Sequence, residues 1–134
     1  MLEIKNLTGG YVNIPVLKDV SFEVGDGQLI GLIGLNGAGK STTINEIIGL
    51  LRPYAGEIRI DGLTLAASPS AYRQKIGYIP ETPSLYEELT LREHIETVAM
   101  AYDLDQEAVF ARVTPLLKQF RLEEKLDWFP VHFS

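Results

Sequence analysis

Gly34-Leu35-Asn36-Gly37-Ala38-Gly39-Lys40-Ser41-Thr42 fits the pattern G-x-x-x-x-G-K-[ST], and its reading decides the rest of the chain. Glycines let backbone N–H groups turn inward and approach phosphate oxygens with no side chain in the way. A helix starting there adds unpaired N–H groups and the positive end of its dipole. Lys40 offers a compact positive charge for the β- and γ-phosphates. The Ser41 hydroxyl suits Mg²⁺, and Thr42 suits a more internal phosphate. The flanks supply the context that the pattern needs. Leu29-Ile30-Gly31-Leu32-Ile33 reads as a short strand buried on both faces. Thr43 to Leu51 reads as helix, stopped by Pro53. The alternative is a glycine-rich turn that only mimics the loop.

Working outward, Leu2 to Leu7 reads as a strand and Thr8-Gly9-Gly10 as a breaker, with Tyr11 just beyond. Val20, Phe22 and Val24 alternate with Asp19, Ser21 and Glu23, the pattern of a half-buried strand. Gly25-Asp26-Gly27 is a turn. Gly56 to Leu65 predicts a hairpin turning at Asp61-Gly62. Ser68-Pro69 suits the start of a short helix to about Gln74. Ile76-Gly77-Tyr78-Ile79 predicts a strand ended by Pro80.

From Glu81 the character becomes helical. Thr90 and Glu93 form a capping-box pattern ahead of the stripe Leu91, Ile95, Val98, Ala99, Tyr102. Asp105 can cap a second helix with Val109, Val113, Leu116, Leu117 and Phe120 along one face. Thr114-Pro115 either kinks that helix or starts a new one. Leu122 to Ser134 reads as loop. The parts are residues 1–80, a nucleotide-binding α/β and antiparallel β region, and residues 81–134, the helical region.

The bulk numbers fit one soluble domain. The chain has 134 residues, 46% hydrophobic and 22% charged. No run approaches the length of a membrane-spanning helix, and no secretory pattern opens it. Without Cys, disulfides and thiolate metal sites are excluded. Net charge is −6, which argues against a nucleic-acid partner. Residues 1–80 balance seven basic against seven acidic groups, so the excess lies in residues 81–134, with five basic and eleven acidic groups. That excess reads as a solvated helical surface or as a face steering a basic partner.

These residues, in this order, resemble the N-terminal part of an ABC-type ATPase, the ATP-binding subunit of ABC transporters. Tyr11 stands where that family places an aromatic that stacks on adenine. The phosphate loop follows, then Gly56-Glu57-Ile58 with Asp61-Gly62, then Ile76 to Glu81 in place of the glutamine loop. Pro80 to Thr90 is most similar to bacterial exporter ATPases of the Ecs type. The resemblance implies a P-loop NTPase core, α/β, with an antiparallel β part and a helical subdomain, incomplete at the C-terminus. It implies ATP and Mg²⁺ as cofactors. Tyr11, Gly34, Leu35, Asn36, Gly37, Ala38, Gly39, Lys40, Ser41 and Thr42 would hold the nucleotide. Lys40 would stabilise the phosphates in catalysis, and Ser41 and Glu81 would face the metal.

Each role has a plainer reading. Tyr11 could be an aromatic packing at a strand end, and Val16 could line the adenine or be ordinary core. Glu81 replaces the family's Gln, and could touch metal or water or be a surface acid. His94 and His132 read as structural. The metal-binding Asp and catalytic Glu of the family are not found, and Phe133-Ser134 could open its signature motif. The expectation is therefore a fragment that binds ATP without hydrolysing it, with Leu29–Ile33 lacking its usual neighbours. The complete protein would be an ATPase that couples MgATP hydrolysis to transport, in the export direction. It would pair head-to-tail with a second ATP-binding subunit and dock on a transmembrane transporter subunit. It would lie peripherally at the cytoplasmic face of the cell membrane. The competing functions are a non-hydrolysing regulatory module and a soluble ABC-type protein outside transport.

Overall fold

The computed structural model describes residues 1–12 and 14–133. The chain divides into two compact units, Met1–Tyr78 and Ile79–Ser134.

In the first unit, β1 (Leu2–Tyr11) lies between β2 (Ile14–Val24) and β3 (Ala55–Ile60), antiparallel to both. Ile4 faces Phe22 on one side and Ile58 on the other. Ile4 and Leu7 are both buried, although a regular strand would turn them to opposite faces. A bulge resolves this. Asn6 takes a left-handed φ of 51°, and the register with both neighbours shifts between Ile4 and Leu7 or Thr8. Its N–H donates to Ser21 Oγ at 2.8 Å and its Nδ2 to Asp19 Oδ1 at 2.7 Å, which supports the bulge. Ile4, Leu7, Leu17, Ile58 and Tyr72 form the core. Tyr72 comes from α2 (Pro69–Arg73), and its hydroxyl donates to Ile47 O at 2.7 Å.

The strand predicted up to Leu7 runs on through Thr8-Gly9-Gly10, so that segment is not a breaker. Helix α1 (Lys40–Ile47) begins three residues earlier and ends earlier than the pattern suggested. Asp61-Gly62 does turn, but the second arm of the hairpin is reduced to one bridge between Ile60 and Leu63. Ser68 sits at the N-cap of α2 without making a side-chain cap bond.

Two predicted strands are not strands. Leu29–Ile33 and Ile76–Ile79 carry no ladder, and Leu29 and Ile33 are 99% and 98% exposed. An apolar run becomes a strand only where another segment accepts and donates its backbone bonds. Among the described residues the sheet ends at β2 and β3, and neither run reaches those edges.

In the second unit, α3 (Leu91–Ala101) and α4 (Gln106–Gln119) pack on each other. The capping box at Thr90 and Glu93 is complete, and Asp105 accepts from Ala108 N. Pro115 lies inside α4, which continues through it, so no new helix starts there. The tail read as loop carries two short 3₁₀ turns, Glu123–Lys125 and Pro130–His132. No helix among the described residues is long and apolar enough to cross a membrane.

Candidate nucleotide-binding site

The phosphate loop stands on the surface, with residues 34–38 exposed, and feeds α1 at Lys40. Gly37 and Gly39 have φ of 83° and 80°, left-handed values that a residue with a Cβ adopts only at a cost of about 1–2 kcal/mol. Gly39 has a second reason to be glycine. A Cβ there would stand 2.6 Å from Leu17 Cδ2 and 3.0 Å from Val16 Cγ1. The loop therefore rests against β2, and half-buried Val16 packs beneath it.

Lys40 reaches back across the loop. Its Nζ donates to Gly34 O at 2.9 Å and to Leu35 O at 3.4 Å. Ala38 N donates to Leu35 O at 3.1 Å and closes the turn. The first helical bond is Thr43 N to Gly39 O, reinforced by Thr43 Oγ1 on the same carbonyl at 2.8 Å. Ahead of it, the N–H groups of Lys40, Ser41 and Thr42 meet no acceptor among the described residues. The N-cap Gly39 has no side chain, and the first turn holds no acid. A helix end left in this state is a ready anion site. The glycine cradle, the bare donors and the Lys40 ammonium together fit a polyphosphate. Ser41 is exposed, with its hydroxyl available, whereas Thr42 is buried.

Tyr11 ends β1, is 46% exposed, and accepts from Asn45 Nδ2 of α1 at 3.5 Å. Glu81 is exposed at the start of the second unit. His94 Nε2 accepts from Tyr86 N at 3.1 Å, which leaves Nδ1–H to donate to Thr90 O at 2.8 Å; both nitrogens are used in structure. His132 is exposed beside Trp128 and Phe129. Ser134, suggested as part of a signature motif, lies outside the described residues. No group of three His, Cys, Asp or Glu side chains suited to a metal gathers among the described residues.

Sequence reading missed two neighbours on α1, Asn45 and Glu46. Glu46 is only 2% exposed, and neither carboxylate oxygen has a hydrogen-bond partner among the described residues. Desolvation alone pushes its carboxyl above the usual range. It fits because Gly9 has no side chain; a Cβ there would collide with Glu46 Oε1. The available signal was spacing, since Glu46 follows buried Thr42 and Thr43 at helical intervals. Glu46 also borders a cavity of about 730 Å³ at the far end of α1, with Arg52, Tyr54, Ile58 and Tyr72.

Residues 17–132 match the model of the ABC transporter family. The chain belongs to the ABC transporter ATP-binding family. It is 59% identical to the ABC-type transporter ATP-binding protein EcsA of Bacillus subtilis (strain 168), over all of this chain and 54% of that protein. It is 33% identical to Nod factor export ATP-binding protein I of Rhizobium meliloti (strain 1021), over 94% of this chain and 38% of that protein. A solved ATP-binding subunit of an ABC transporter matches with a TM-score of 0.93 and 56% identity, over all of this chain and 56% of the other. The ATP-binding cassette MJ0796, solved as a dimer in a post-hydrolysis state with ADP and Pi, matches with a TM-score of 0.79 and 28% identity, over 63% of its chain. The fold is thus part of that of an ABC ATPase domain, and the chain spans about half the length of the curated relatives it matches.

Proposed function

We propose that this chain is the ATP-binding portion of an ABC exporter ATPase, and that nucleotide binding is the step its own residues perform. The bare N-terminus of α1 behind the glycine loop carries this reading. The N–H groups of Lys40, Ser41 and Thr42, with those of the loop from Gly34, Leu35, Asn36, Gly37, Ala38 and Gly39, would receive phosphate oxygens. Lys40 Nζ would exchange its loop carbonyls for the β- and γ-phosphates. Tyr11 would stack on the adenine. Mg²⁺, when bound, would draw negative charge from the phosphates, with the Ser41 hydroxyl as a ligand.

In this reading Lys40 stabilises the phosphates, and the groups gathered at the loop bind the nucleotide without hydrolysing it. Relatives named for export support that direction of transport. The dimeric relative supports pairing with a second ATP-binding subunit, and the transporter names of other relatives support a membrane-embedded partner subunit. A peripheral place on the cytoplasmic face of the membrane follows from that partner.

Lys40→Ala tests the reading. It is expected to weaken MgATP binding by about 2–3 kcal/mol, the scale of a charge-assisted hydrogen bond. Calorimetry showing unchanged affinity would overturn the assignment.

A further inference from the structure

We propose that Asn45 is a positioning residue that fixes the Tyr11 ring to the helix carrying the phosphate-binding donors. The inference rests on the reading of Tyr11 as the base platform. Tyr11 is the last residue of β1 and nearly half exposed, so strand packing covers only part of its ring. The bond from Asn45 Nδ2 to the phenol oxygen holds the far end of that ring.

The donor is itself well anchored. Asn45 O accepts from Leu50 N at 2.8 Å and from Leu51 N at 3.0 Å. Two residues on, Ile47 O accepts from the buried Tyr72 hydroxyl. Between them, Glu46 lies buried against Gly9, two residues before Tyr11 on the same strand. The last turn of α1 is thus fastened to the end of β1 through adjacent residues. Lys40 and Ser41 stand at the other end of the same short helix. Cradle and platform then move as one body. A base stacked on Tyr11 keeps its distance from phosphates held at Lys40, and the binding energy of one part supports the other.

At 3.5 Å and exposed, the contact is longer than the roughly 2.7–3.2 Å usual for an N–H···O bond, so its effect is modest. The test compares dissociation constants for MgATP and for magnesium inorganic triphosphate in the protein expressed from its own gene. Tyr11→Phe and Asn45→Ala remove the same bond from opposite sides. Each is expected to lower the preference for ATP about three- to fivefold with triphosphate affinity unchanged, the scale of one neutral hydrogen bond. The double variant should lose no more than either single one. Asn45→Asp should restore the preference, because its carboxylate accepts from the phenol O–H.

Additive losses in the double variant, or an unchanged preference in Asn45→Ala while Tyr11→Ala abolishes it, would overturn the proposal. An unchanged preference in Tyr11→Ala would instead remove the base platform itself. Should Asn45→Ala fail to fold, Tyr11→Phe reports on the same bond from an exposed ring.

Discussion

At α3, the N–H of Leu91 donates to Trp128 O at 3.0 Å and that of Arg92 to Leu126 O at 2.8 Å. The N–H of Glu93 donates to Thr90 Oγ1, and the Glu93 carboxylate answers on Thr90 N. Those bonds draw the Glu93 carboxyl below its usual range. At α1 the same three positions, Lys40, Ser41 and Thr42, have no acceptor among the described residues, no capping side chain and no acid. A folded chain that satisfies one helix start completely and leaves another bare has not run out of capping residues. On the reading proposed above, the second start is left for a ligand, and the cost to α1 is stability that α3 retains.

The largest expected effect comes from giving α1 what α3 has. Ser41→Asp places an acid in the first turn. It should stabilise the unliganded protein by about 0.3–1 kcal/mol through the helix dipole. It should also weaken MgATP binding by about 3 kcal/mol or more, since a carboxylate replaces the hydroxyl proposed to face Mg²⁺ and repels phosphate. Thermal melts and calorimetry should move in opposite directions. A shift in the same direction would break the comparison.

The second effect concerns how α1 is held in place of a cap. Glu46→Leu removes two unpartnered buried oxygens and should stabilise the protein by about 1–3 kcal/mol. The pH dependence carries a definite sign. The folded carboxyl titrates above its ordinary value of 4.5, so the folded state holds a proton that the unfolded state has released. Stability from this group is complete below that ordinary value and is lost as pH rises through the raised one. Denaturant melts from acidic to neutral pH should show this decline in the native chain. The decline should be absent from Glu46→Leu.

The smallest effect lies at α3. Thr90→Ala should cost about 1 kcal/mol of stability in the helical unit, typical of a lost N-cap, and leave nucleotide affinity unchanged. A change in affinity would mean that α3 is not the purely structural start described above.

What the sequence revealed follows the reach of each signal. The capping box at Thr90 and Glu93, the Asp105 cap and the Asp61-Gly62 turn are decided within four residues, and all three are as read. The phosphate loop is equally local. Neither Leu29–Ile33 nor Ile76–Ile79 has a ladder among the described residues; composition suggests a strand for both, but pairing is a property of two segments, and only for Leu29–Ile33 does the resemblance lead one to expect missing neighbours. The bulge at Asn6 was hidden for the same reason, since Ser21 and Asp19 on the neighbouring strand support it. Glu46 was overlooked because an acid on a helix ordinarily faces water. Only the missing side chain at Gly9, distant in sequence, gives it room.

The most direct test follows the backbone amides of both helix starts by NMR while MgATP is added. The N–H groups of Lys40, Ser41 and Thr42 are predicted to shift strongly and gain protection from exchange, while those of Leu91, Arg92 and Glu93 stay bound to their internal acceptors. Saturation with MgATP that leaves the three α1 amides unmoved would contradict the claim that this helix start is kept open for phosphate.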